Sequence, residues 1–215
     1  STNPSFYVNL RGIDLAYVNG GLISENTIFN MITSVNTSIT GIENGAGVQN
    51  CMFTRNNLTG IYNDNTGAWS AYGINFNTST NVTNNLIANN FISDMRAINY
   101  SSSTTYSAFG IRLTGGTNFT IANNSVHFFG TVTIGTGTSS ISAPFCVTST
   151  AVTGTKLKNN IFYNEQNFSV ATGSAYSVYV PSGFAFAEIN NNDYYGKGTA
   201  TTNYYVGFYG SNKST

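Results

Sequence analysis

Apolar residues along this chain recur in short alternating runs, never in long stripes. Gly110-Ile111-Arg112-Leu113 and Asn118-Phe119-Thr120-Ile121 place an apolar side chain at every second position, the period of a strand with one buried face. The favoured residues are β-branched, aromatic, Asn and Gly, and the i, i+3, i+4 spacing of an amphipathic helix is missing. The pattern predicts short strands, and the strands come in a repeat. Six segments share one core: Ile23-Ser24-Glu25-Asn26-Thr27-Ile28, Thr54-Arg55-Asn56-Asn57-Leu58-Thr59, Ile87-Ala88-Asn89-Asn90-Phe91-Ile92, Ile121-Ala122-Asn123-Asn124-Ser125-Val126, Leu157-Lys158-Asn159-Asn160-Ile161-Phe162 and Ile189-Asn190-Asn191-Asn192-Asp193-Tyr194. With Asn26, Asn57, Asn90, Asn124, Asn160 and Asn192 as origins, the intervals are 31, 33, 34, 36 and 32. A fixed period of this length marks a stacked array whose insertions fall in loops.

The spacing around the Asn carries the geometry. The apolar positions flanking it are five apart, an odd number, so one extended strand cannot turn both inward and the chain must bend between them. Asn is the non-Gly residue that most readily adopts the left-handed conformation of such a bend. Stacked once per coil, the six Asn would lie ~4.8 Å apart, close enough for their amides to hydrogen-bond along the stack. Such a ladder would satisfy buried polar atoms that each cost ~1–3 kcal/mol when unpaired. The runs Gly41-Ile42, Gly73-Ile74-Asn75-Phe76 and Gly110-Ile111-Arg112-Leu113 read as strand starts further upstream in the same coils.

The Asn-Asn copies and the Gly-Ile runs resemble the right-handed parallel β-helix of the pectate-lyase-like superfamily, over roughly residues 7–209. The resemblance implies an all-β, right-handed parallel β-helix (β-solenoid) of about six to seven coils, with an Asn ladder and variable loops. It implies little about function, because this fold hosts lyases, hydrolases, adhesins and passive stalks. The stretch from Lys158-Asn159-Asn160-Ile161-Phe162-Tyr163 to Tyr205-Val206-Gly207-Phe208-Tyr209 is also similar in texture to segments of very large secreted bacterial surface proteins that use the type IX secretion route.

Composition narrows the chemistry. Only 7% of the 215 residues are charged, against about 25% in a typical soluble domain, while Asn, Thr, Ser and Gly fill about half the chain. A net charge of zero excludes an electrostatic grip on nucleic acid or anionic lipid as the main activity, and no apolar run reaches the ~20 residues of a membrane span. The eight carboxylates are Asp14, Asp64, Asp94, Asp193, Glu25, Glu43, Glu165 and Glu188. They form neither the Asp-Asp, Gly-His-Gly and Arg-x-Lys set of polygalacturonase-like β-helices nor the acidic calcium cluster of pectate lyases, so no catalytic residue is assigned. A single histidine, His127, cannot build a His-based metal site, and alternation about Val126 points it outward; no metal and no cofactor is expected. Cys51 and Cys146 fall three rungs apart, ~14 Å, beyond the Cα reach of a disulfide, and are expected to be free, buried thiols. Aromatics thicken toward the C-terminal end, and Tyr194, Tyr195, Tyr204 and Tyr205 are the candidates for stacking on sugar rings. The Thr-rich run 131–138 does not recur in neighbouring coils, which argues against an ice-binding array.

These features predict one β-helix domain over residues 1–215 that reads as an excerpt of a longer chain, since both ends still read as strand. The function expected is that of a non-enzymatic structural or adhesive module, a rigid solenoid displaying loops at residues 29–40, 60–72, 93–109, 127–144 and 163–183. The alternative is a carbohydrate-active β-helix enzyme, a polysaccharide lyase or glycoside hydrolase, or a glycan-binding module without turnover. The hydroxyl- and amide-rich, lysine-poor composition suggests an extracellular or cell-surface setting. The expected partners are adjacent coils or domains of the parent polypeptide, together with extracellular glycans.

Overall fold

A computed structural model describes residues 10–67, 69–98, 107–133, 140–169, 173–197 and 202–213. The chain is all-β there, with parallel sheets stacked as a β-solenoid of about five turns. The first circuit runs through β1 (Arg11–Leu15), β2 (Leu22–Ser24) and β3 (Thr27–Thr33), the second through β4 (Ile39–Asn44), β5 (Met52–Thr54) and β6 (Asn57–Asn63). The third comprises β7 (Ala71–Phe76), β8 (Leu86–Ala88) and β9 (Phe91–Ala97). The fourth comprises β10 (Ala108–Leu113), β11 (Thr120–Ala122), β12 (Ser125–Phe128) and the short β13 (Thr131–Val132). The fifth follows with β14 (Ile141–Val147), β15 (Lys156–Lys158), β16 (Ile161–Asn164) and β17 (Asn167–Phe168). Then come β18 (Gly173–Val180), β19 (Glu188–Asn190), β20 (Asp193–Gly196), β21 (Thr202–Tyr209) and β22 (Asn212–Lys213).

Each circuit adds one strand to each of three sheets. The first sheet runs β1-β4-β7-β10-β14-β18-β21, closed by the antiparallel β22; the second runs β2-β5-β8-β11-β15-β19; the third runs β3-β6-β9-β12-β16-β20. Register turns one apolar position per strand into an axial column. Ile42, Ile74, Ile111 and Phe145 stack in the first sheet, Phe53, Ile87, Ile121 and Leu157 in the second, and Leu58, Ile92, Val126 and Phe162 in the third. All of these side chains are buried in one core.

The Asn ladder lies at the corner between the second and third sheets. Its members are Asn26, Asn56, Asn90, Asn124, Asn160 and Asn192. The backbone N–H and Nδ2 of each donate to Oδ1 of the next, at 3.0 and 2.9 Å from Asn90 to Asn124. The other Nδ2 proton goes to a carbonyl of the preceding rung, as from Asn124 to Ile87 at 2.9 Å. The second copy therefore corrects the expected register by one residue: Asn57 is not in the ladder. It lies on β6, exposed, while Asn56 is buried. The reason is that the bend and the ladder are separate jobs done by adjacent residues. The left-handed position is Glu25, Arg55, Asn89, Asn123, Asn159 or Asn191, with φ between 51° and 60°, and the ladder Asn follows it.

Two other expectations shift. Gly41, Gly73 and Gly110 sit inside β4, β7 and β10, two residues after the strands begin. They are there for close approach: a Cβ on Gly73 would lie 2.5 Å from the Gly110 carbonyl oxygen and 2.8 Å from Ile92 Cγ2. The strand after the ladder also outlasts its expected end: β3, β6 and β9 run on to Thr33, Asn63 and Ala97, into the expected loops 29–40, 60–72 and 93–109, of which residues 68 and 99–106 lie outside the described residues, as do 134–139 and 170–172 of the two later loops. Asn30, Gly60 and Asp94 take positive φ within β3, β6 and β9. The inward positions are then Leu58 and Ile61, three apart, which breaks the period of two that marks a strand.

Candidate functional site

Outside the core, polar and aromatic side chains gather on the outer face of the first sheet. Two outward columns run along it. One holds Arg11, Thr40, Tyr72, Phe109, Ala143, Tyr176 and Tyr205; the other holds Asp14, Glu43, Asn75, Arg112, Cys146, Tyr179 and Phe208. In the later circuits this face is a second apolar cluster of Phe109, Ile141, Ala143, Cys146 and Tyr176, with Tyr179 stacked on Phe208 at 4.3 Å. In the first circuits the residues are small or polar, and a pocket of about 380 Å³ opens between the sheet and the connections 34–38 and 64–70.

The pocket has a charged floor and an aromatic wall. Glu43 is 4% exposed and bears on both carboxylate oxygens an Asn75 Nδ2 contact, at 3.1 and 3.0 Å; Asn77 Nδ2 also donates to Oε1. Asn75 Oδ1 accepts from Arg112 Nη1 at 3.1 Å, and that guanidinium lies 5.0 Å from the Tyr72 ring centroid. The amide thus relays the Arg112 charge toward a buried carboxylate that would be costly if uncompensated. Burial pushes the Tyr72 hydroxyl above its ordinary 10.0, against the lowering effect of Arg112. Trp69 and Tyr72 supply the wall, and Arg11, paired with Asp14 at 2.5 Å, stands at the rim.

The two connections are tied to each other. Asn65 Nδ2 donates to the Ser34 carbonyl at 2.6 Å and to Asn36 Oδ1 at 3.0 Å, while Asn65 Oδ1 accepts from Gly67 N–H at 2.7 Å. Asn63 Nδ2 reaches the Thr37 and Ser70 carbonyls at 2.7 and 3.2 Å, and Ser70 N–H donates to Ser38 Oγ at 3.1 Å. Trp69 is therefore presented by a loop fastened at both ends.

Two smaller assemblies lie on the outer face of the third sheet. Tyr62 donates its hydroxyl proton to Asp94 Oδ2, Arg96 Nε donates to Asp94 Oδ1 at 2.8 Å, and Arg96 covers the Tyr62 ring at 4.8 Å. Burial, then the bond to Asp94, push the Tyr62 hydroxyl up to about 12. His127 Nε2 lies 2.9 Å from Glu165 Oε1 and meets Tyr163 edge-on at 4.7 Å.

The four candidate tyrosines do not share a surface. Tyr194 turns inward against Phe162, its hydroxyl buried and without a hydrogen-bond partner among the described residues. Tyr195, the next residue, turns outward and stacks on Tyr163 at 4.3 Å. Tyr204 donates to the Gln166 carbonyl at 2.5 Å, and Tyr205 stacks on Tyr176 at 5.3 Å on the first sheet. Cys51 and Cys146 are free and buried. Among the described residues no group of three or more His, Cys, Asp or Glu is placed to hold a metal ion, and no helix is long and apolar enough to cross a membrane.

No family model matches this chain, and no curated protein or solved structure matches it. Its chemistry is therefore read from its own residues. Sequence reasoning missed the pocket, although one signal for it was available. Glu43, Asn75 and Arg112 each directly follow the Ile of a Gly-Ile pair, so a common register already stacked them in one outward column.

Proposed function

We propose that this chain is a structural display module: a rigid solenoid whose connections and outer faces provide recognition surfaces, without turnover of its own. One observation carries this reading. The axial ladder runs through all six Asn copies without a gap, while the connections between third-sheet and first-sheet strands change length from circuit to circuit. A frame held constant beside variable loops suits a scaffold. The disposition of the charged groups supports it. Asp14, Glu25, Asp94 and Glu188 are paired with Arg11, Arg55, Arg96 and Lys158, and Glu165 faces His127. These pairs are dispersed over the surface and do not converge on one groove.

On this reading the module belongs to a secreted or cell-surface protein, in keeping with its hydroxyl- and amide-rich, lysine-poor composition. Its partners are neighbouring coils or domains of the parent polypeptide and extracellular glycans. The test is incubation with acidic and neutral polysaccharides, reading new reducing ends and the absorbance of unsaturated products. No product is expected. Turnover abolished by replacing a single carboxylate would overturn the proposal in favour of a lyase or hydrolase.

A further inference from the structure

We infer that the two ends of the solenoid bind each other, so that a second copy of this chain adds head to tail as the next coil. The inference deepens the display reading and rests on it only for the rigidity of the frame. The ladder has a direction, which makes the two ends unlike and complementary. At each corner the bend residue donates its N–H to a carbonyl of the next rung, as from Asn159 to Asn190 at 3.1 Å, and the ladder Asn donates its N–H to the next Oδ1, as from Asn160 to Asn192 at 3.0 Å. At the last rung, the tail, Asn191 and Asn192 hold the same two N–H groups with no acceptor among the described residues. At the first rung, the head, the Ser24 carbonyl and Asn26 Oδ1 stand in the accepting places, on the free edges that β2 and β3 leave as terminal strands. Such an edge is a template for pairing with another chain.

Side chains match as well. The inward column of Phe53, Ile87, Ile121 and Leu157 continues to Ile189, which is 53% exposed where the other four are fully buried. The core is therefore open at the tail. A copy set one rung on brings its Ile23 over Ile189 and its Phe29 over Tyr195. Phe29 and Tyr195 are the two exposed ends of one outward column, and Tyr195 already stacks on Tyr163 within it. Covering these apolar surfaces drives the contact. On the first sheet β22 lies against Gly207 and Phe208, in the register that Ile13 and Asp14 of the copy would take. It is a two-residue strand held through Asn212, which pairs with Phe208 and accepts from the Tyr176 hydroxyl at 3.1 Å, and it swings aside as the copy docks. Because the two surfaces in contact are unlike, the assembly does not close, and copies add in file.

The experiment is sedimentation velocity on the full 215-residue chain from micromolar to near-millimolar concentration. The mean mass should climb with concentration and pass that of a dimer. Ile189→Lys blocks the tail and Phe29→Lys blocks the head; each should weaken self-association by about tenfold or more while the denaturation midpoint holds, because both side chains are exposed. Mixed in equal amounts, the two variants should form a dimer and stop there, since one intact head meets one intact tail and the remaining ends are blocked. Asn212→Pro removes the N–H and the side chain that seat β22 and should tighten association. Phe91→Lys, on the outer face of the third sheet between the ends, should leave it unchanged. A chain that is monomeric at every concentration, a blocked variant that associates as the parent does, a mixture that stays monomeric, association not tightened by Asn212→Pro, or association lost in Phe91→Lys would each overturn the inference. The display reading survives such a failure, since it stands or falls on turnover.

Discussion

At the scale of single residues, the corner between the second and third sheets separates two roles that an Asn-Asn pair merges. The first residue takes the left-handed bend and the second carries the ladder. Each interior ladder amide accepts two bonds and donates two, all in a dry setting. Asn124→Ala removes them together and leaves the N–H and Nδ2 of Asn90 without their acceptor; a loss of about 3 kcal/mol is expected from denaturant unfolding. Asn89→Ala keeps the ladder and is expected to cost about 1–2 kcal/mol from left-handed strain alone. The second copy provides the sharpest comparison. Asn56→Ala should be as damaging as Asn124→Ala, whereas Asn57→Ala should stay within about 0.5 kcal/mol of the parent, as at other exposed positions. Equal effects at positions 56 and 57 would refute the assignment. The signal that separates them was present in the sequence. Aligned on Asn57, this copy puts Thr54 and Thr59 where the other copies have mainly apolar residues. Aligned on Asn56, it puts Phe53 and Leu58 there. In this copy the apolar positions, not the Asn pair, set the register.

At the scale of elements, the first sheet differs from the other two because both of its faces are covered. Its central strands β4, β7 and β10 are buried at every position. Their inward glycines let the third-sheet column of Leu58, Ile92 and Val126 press against the sheet backbone. A Cβ on Gly110 would stand 2.5 Å from both the Pro144 carbonyl oxygen and Val126 Cγ1, and neither neighbour is the far end of a flexible chain. Gly110→Ala is therefore expected to destabilise by about 1–3 kcal/mol through overpacking, and Gly110→Val by more, read as a lowered midpoint in denaturant. A neutral Gly110→Ala would mean that the sheet can retreat from Val126. The alternating strands were legible because their inward face takes an apolar residue at every second position, even in β10, where the outward Arg112 is also buried. The later part of β3, β6 and β9 was not, because a left-handed residue inside each strand resets which face the side chains meet. The pocket was legible only in its floor, where the common register of Glu43, Asn75 and Arg112 is written in the Gly-Ile runs; its walls come from unlike connections lying over that sheet face, and nothing in the local pattern of either connection records the other.

At the scale of the whole molecule, the Cys146 thiol and the Tyr62 and Tyr179 hydroxyls bind their protons more tightly in the folded state, and this makes stability depend on pH in one direction. Burial pushes the Cys146 thiol from its ordinary 9.0 up to about 12, and the Tyr179 hydroxyl beside it from 10.0 up to about 12. On the third sheet, burial and the Asp94 bond do the same to Tyr62. The sign follows from linkage. Below the unfolded values all three groups are protonated whether the chain is folded or not, so their contribution is fully present. Between those values and about 12 the unfolded chain sheds protons that the folded chain retains, and the contribution is lost as pH rises. The midpoint in denaturant should hold up to about pH 9, begin to fall there as the unfolded thiol ionises, and fall more steeply above pH 10 as the phenols follow. Cys146→Ala should remove the earliest part of that decline and leave the phenolic part. A thiol reagent gives an independent reading: both cysteines are buried, so at pH 8 neither should react in the folded protein, and both should react at once in denaturant. A midpoint flat from pH 8 to 11, or a Cys146 thiol that titrates rapidly without denaturant, would show that the cluster on the first sheet opens to water, and with it the packing that carries the second apolar face.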